Sequence, residues 1–142
     1  LIAAERLNDA AMRSDALTAL SFIMDRQTAP AGHFRPVPTR VFAAGQTGGT
    51  GEGVFDQQPL EAQASIEACL NALRLTGGDV WKTRALTVWS WFHGDNDHGL
   101  RLMTEDGGCF DGLTESGLNE NQGAESVLAA QLSWCALKHA GL

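Results

Sequence analysis

The sequence predicts an all-α chain of helical hairpins whose long loops gather on one face. Three observations carry that expectation. Apolar residues recur at helical spacing in four stretches, strand-like alternation is weak throughout, and long polar loops alternate with a tight Gly-Gly turn. Hairpins arranged in a ring produce this order of long loop, helix, tight turn, helix and long loop, because each hairpin delivers its long loops to a common face.

The elements follow in order. The stretch from Leu1 to Gln27 is rich in Ala and Leu, lacks Gly and Pro, and places Leu17, Leu20 and Met24 on one helical face. A break is expected at Ser14–Asp15. Thr28 to Gly53, rich in Pro and Gly, reads as a long irregular loop with an extended piece around Val37 to Ala43. Such loops are usually functional or disordered, and the Gly45 to Gly53 run is expected to be mobile. Pro59 suits the first turn of a second helix, where its missing N–H costs nothing. That helix runs to Leu75 with Ile66, Leu70 and Leu73 on one face, and Gly77-Gly78 stops it. Asp79 caps a third helix carrying Trp81, Ala85, Val88 and Phe92 and ending at Gly94. After a second long loop from Asp95 to Gln122, a fourth helix uses Leu128, Leu132 and Cys135 and ends near Gly141.

The totals bound the function. At 142 residues and 44% hydrophobic composition the chain fits one domain, residues 1–142, with a real core. No apolar run approaches the ~20 residues a bilayer crossing needs. A net charge of −7 argues against nucleic acid and anionic membranes as partners. Cys69, Cys109 and Cys135 are odd in number and widely spaced, which reads as reduced thiols of a cytoplasmic protein. Cys69 and Cys135 fall in helical patterns and are expected in the core, with Cys109 more exposed in a Gly-rich loop. No signal peptide is visible. Both ends read as helix, so the chain is expected to be an excerpt of a longer protein.

Two polar clusters stand out. Asn119-Glu120-Asn121-Gln122-Gly123-Ala124-Glu125-Ser126 sets amides and carboxylates at the mouth of the fourth helix. Phe55-Asp56-Gln57-Gln58-Pro59-Leu60-Glu61 does the same at the second. Amides beside carboxylates suit the fixed hydroxyl geometry of a sugar. The competing structural reading is helix capping, with Asn119 or Asn121 accepting from first-turn amides and Glu125 favouring the positive helix end.

These segments, together with Trp91-Phe92-x-Gly94-x-Asn96-Asp97-x-Gly99 and Gly107-Gly108-Cys109-x-Asp111-Gly112-Leu113, occur in an order that resembles a bacterial family of (α/α)-toroid domains. That family is related to six-hairpin glycosidases and is often found C-terminal to, or encoded beside, glycosyltransferases. The likeness spans roughly residues 32–134. It implies a carbohydrate-related domain, of which this chain would be the C-terminal portion of a larger ring or a piece that completes its core by forming a homo-oligomer. A glycosidase-like fold does not by itself make a hydrolase.

Cleavage of a glycosidic bond needs two carboxyl groups across it. Asp56, Glu120, Asp111 and Glu125 are the catalytic candidates, and Asp56 and Glu120 stand out because amides flank them. Otherwise Asp56 caps the second helix and Glu120 is solvated. Gln57, Gln58, Asn119, Asn121, Gln122 and His33 are candidates to bind the saccharide. Trp91, off the main apolar stripe, is the aromatic best placed to stack on a sugar ring, although helical aromatics are more often core. His93 and His98 flank Asp95 and Asp97 without the spacing of a zinc site, so no metal or other cofactor is expected. Nucleotide-sugar binding would belong to a partner glycosyltransferase domain or protein. The alternative to an enzyme is a non-catalytic saccharide-binding or accessory module.

Overall fold

The computed structural model describes residues 1–38 and 54–142. Apart from Val37 and Pro38, the extended piece expected at Val37 to Ala43 and the Gly45 to Gly53 run lie outside the described residues. The described chain is mostly helical, with helices α1 (Ile2–Arg6), α2 (Ala10–Arg26), α3 (Pro59–Thr76), α4 (Asp79–Trp91) and α5 (Ala124–His139). A small antiparallel hairpin joins β1 (Gly112–Thr114) to β2 (Gly117–Asn119), pairing Gly112 with Asn119 and Leu113 with Leu118. This hairpin was not expected from the sequence, where each strand offers only three residues. The extended form rests on pairing, β1 with β2 and, through Leu113, with Gln57.

The first helical stretch breaks earlier than Ser14–Asp15. Asn8 takes a positive φ of 51° and Asp9 caps α2 by accepting from the Met12 N–H at 2.9 Å. An acidic residue with a free N-cap geometry ends one helix and starts the next, whereas Ser14 and Asp15 ride inside α2. Gly77, at φ 66°, closes α3 with its N–H on the Leu73 carbonyl, the left-handed cap that glycine accepts without strain.

Directions follow from the contacts. The start of α3 meets the end of α2, where Ser65 donates to Gln27 at 3.2 Å, and the end of α3 meets α1 through Arg74 and Glu5. Hence α2 runs opposite to α3, and α4 returns along α3 after the tight Gly77-Gly78 turn. So α2 and α4 run the same way. The C-terminal halves of α3 and α5 line one cavity through Leu70, Leu73, Ala136 and Ala140, while one loop network anchors both N-termini. So α3 and α5 also run the same way, opposite to the first pair, with α3 packed on both α4 and α5.

The core lies where these helices meet. Leu20 and Met24 of α2, Ala62, Ile66, Cys69 and Ala72 of α3, and Trp81, Ala85, Val88 and Trp91 of α4 are buried with Phe92, Leu102 and Leu113. The apolar stripes expected for α2 and α4 turn inward, whereas on α3 Ile66 is buried, Leu70 and Leu73 are only half-buried, and Ala62, Cys69 and Ala72 complete the inner face. For α5 the expectation is corrected. Leu128, Leu132 and Cys135 face outward, and Ser126, Ala129, Ala130, Ser133 and Leu137 are buried instead. Two stripes compete on this helix, and the small one wins because it lets the α5 backbone approach α3 closely. Cys109, expected to be exposed, is also corrected: it is fully buried and donates its S–H to the Phe110 carbonyl. Burial, with the Asp111 charge behind it, pushes the Cys109 thiol up to about 12, and burial pushes Cys69 to about 11. Neither thiol is a nucleophile at neutral pH. Among the described residues no helix is long and apolar enough to cross a membrane.

Candidate functional site

The site is built around Gln57. Its backbone N–H and C=O both pair with Leu113 at 2.9 Å, so the segment before α3 joins the edge of the hairpin. Gly112 permits this approach. It sits at φ 143°, and a Cβ there would lie 2.1 Å from the Gln57 carbonyl oxygen. The Gln57 side chain is fully buried. Its Nε2 donates to the Val54 carbonyl at 3.1 Å and to Asp97 Oδ2 at 2.6 Å, and its Oε1 accepts from the Trp91 indole at 3.0 Å. Buried polar atoms fully used in this way are structural.

Asp97 is the anionic centre. It takes Arg35 Nε on both oxygens at 2.9 and 2.8 Å, Arg35 Nη2 on Oδ1, and His33 Nε2 on Oδ1 at 3.0 Å. Burial works to raise its pKa, but the bonds from Arg35, Gln57 and His33 outweigh it and hold the carboxyl at about 2. Asn96 shapes the loop that presents Asp97. Its amide donates to the carbonyls of Trp91 and Leu100, both at 2.8 Å, and its oxygen accepts from the backbone of His98 and Leu100. Next along, the His98 ring stacks on Phe55 at 4.7 Å between centroids, and its Nε2 meets the Thr114 carbonyl at 2.8 Å.

This frame holds two walls apart. Phe55 and Asp56, joined by a cis peptide bond, form one, and Thr114, Glu115 and Ser116 of the hairpin turn form the other. Between them lies an open groove of about 540 Å³. Asp56 and Glu115 are both exposed, and the Thr114 and Ser116 hydroxyls bond each other at 3.1 Å. The groove thus offers two carboxylates, two hydroxyls and an aromatic side chain. Among the described residues no group of three or more His, Cys, Asp and Glu is placed to hold a metal.

The structure sorts the candidates. Asp56 lines the groove. Gln57, His33 and Trp91 meet at Asp97 or one bond from it, but Trp91 and Gln57 are fully buried and present no surface to a ligand. Trp91 lies off the apolar stripe because its N–H must reach Gln57, not because it faces solvent. Gln58 is exposed at the α3 N-cap, where its backbone N–H donates to Glu61 at 3.0 Å. Asp111 caps the start of α5, accepting from the Gly123 N–H at 2.7 Å and from the Asn121 amide. Bonds from Asn121, Ser126 and Gly123 hold its carboxyl below the usual range. Gln122 lies over Gly108, and Asn119, Glu120 and Glu125 are exposed. Thr114, Glu115, Ser116 and His98 were missed as a set. A Gly-Leu-Thr-Glu-Ser-Gly-Leu-Asn run between two polar clusters was the available hairpin signal. The chain matches no protein-family model, no curated protein and no solved structure.

Proposed function

We propose that this chain is a carbohydrate-related domain forming part of an (α/α) toroid, with a saccharide bound in the groove between Phe55–Asp56 and Thr114–Ser116. The observation that carries the reading is the groove's lining. An aromatic side chain packs against the C–H faces of a pyranose, and carboxylates and hydroxyls accept and donate to its ring hydroxyls. Asp56 and Glu115 both line the groove, which supplies the two carboxyl groups that glycosidic cleavage requires. The alternation of two parallel helix pairs, α2 with α4 and α3 with α5, supports a segment of a ring. Nucleotide-sugar chemistry would fall to an associated glycosyltransferase domain or protein.

A second reading, a non-catalytic saccharide-binding module, is favoured by the openness of the groove, which leaves both carboxylates in water. A thermal-shift screen against mono- and oligosaccharides tests both. A hit on the wild type that is lost in Phe55→Ala and in the Asp56→Asn, Glu115→Gln double variant supports the groove. Chromatography of the hit then separates the readings, since hydrolysis products appear only if the pair is catalytic. A well-folded sample stabilised by no sugar sinks both.

A further inference from the structure

We propose that α5 is the contact between two copies of this chain, docked antiparallel about a two-fold axis through Leu132. Glu125, Leu128, Leu132, Cys135 and His139 follow one another at steps of three, four, three and four residues, the spacing of a coiled-coil seam. All five are exposed, Leu128 by 59% and Leu132 by 47%, while the opposite face of α5 is committed to α3. The outward stripe is therefore a second apolar face with no partner among the described residues.

What identifies a second copy as its occupant is self-complementarity. Laid antiparallel, the stripe pairs Leu132 with itself, Leu128 with the partner's Cys135, and Glu125 with the partner's His139. Apolar centres meet, and the acidic N-terminal end of each helix meets the basic C-terminal end of the other. This also opposes the two helix dipoles favourably. A parallel pairing would set Glu125 against Glu125. An isologous contact requires a patch that matches itself under a two-fold rotation, and this one does. A single helix pair covers less than the ~800 Å² per partner of a standard interface, and each copy carries net charge −7, so the association is weak and reversible.

Sedimentation equilibrium of the whole chain from ~10 µM to ~1 mM reads this directly. The weight-average mass should rise from the 15.1 kDa of one chain towards twice that value. Leu132→Glu, an exposed substitution that circular dichroism can show to be folded, should hold the mass at one chain throughout. The axis is tested separately by oxidation in a Cys135→Ser background. Leu132→Cys, at the two-fold, should form covalent dimer about tenfold faster than Leu128→Cys, whose partner Cα lies beyond the ~7 Å reach of a disulfide. A constant single-chain mass over the whole range overturns the proposal, as does a Leu132→Glu variant that dimerises like the wild type. Equal cross-linking at the two positions overturns the antiparallel geometry, and with it the proposed contact.

Discussion

The segment before α3 and the segment before α5 carry the same chemistry, amides beside carboxylates, yet the fold uses them in opposite ways. Before α3, Gln57 is sealed from solvent and every polar atom of its side chain is spoken for, by Val54, Asp97 and Trp91. Before α5, Asn119, Glu120, Asn121 and Gln122 are exposed, and the main bond made there is the Asp111 cap on Gly123. The first is a keystone whose loss leaves buried groups stranded. The second is a surface cap that water can partly replace. The lesson is that an amide-and-acid cluster marks a place where backbone ends must be satisfied, and only burial tells whether the satisfaction is structural or open to a ligand.

That contrast can be broken in order of size. Gln57→Ala should cost the most, about 3–4 kcal/mol by urea denaturation, because it strands the buried Trp91 N–H, removes one of the donors to Asp97 and opens a cavity. Gly112→Ala should follow at about 3 kcal/mol, since its Cβ would lie 2.1 Å from backbone that cannot swing away. A value near the ~0.5–1 kcal/mol of an ordinary glycine substitution would mean that the hairpin does not dock on Gln57 as described.

Asp97 sharpens the comparison through pH. Its pKa is depressed on folding, so its stabilisation is present above the ordinary value of 3.8 and is lost as pH falls towards about 2. We expect the stability difference between wild type and Asp97→Asn to shrink by roughly 1–2 kcal/mol across that window. A pH-independent difference would refute the charged network. Asp111→Ala, on the exposed side, should cost only about 1 kcal/mol, as losing a helix cap does. If it proves as damaging as Gln57→Ala, the two loops are not different in kind.

Much of the framework was legible along the chain. Pro59, Gly77-Gly78 and Gly141 punctuate α3, α4 and α5 because proline and glycine act through their own backbone, whatever surrounds them. The stripes of α2 and α4 could be read because Leu20 and Met24, and Trp81, Ala85 and Val88, recur at helical spacing on the buried side. On α5 that logic failed: Leu128 and Leu132 made the stronger stripe, but close approach to α3 selected Ala129, Ala130 and Ser133. The break at Asn8–Asp9 was missed for a smaller reason, since Asp9 and Asp15 are equally good caps in isolation.

The site divides along the same line. By itself the sequence determined the ends marked by Pro59, Gly77-Gly78 and Gly141 and which loops concentrate polar groups, because those depend on neighbours in the chain. Only the tertiary structure decided that Trp91 turns inward to Gln57, and Gln57 in turn to Asp97 with His33 and Arg35. Those pairings join residues from loops far apart in the chain. They are set by which polar groups lose water on folding and must find one another, a requirement that local spacing does not express.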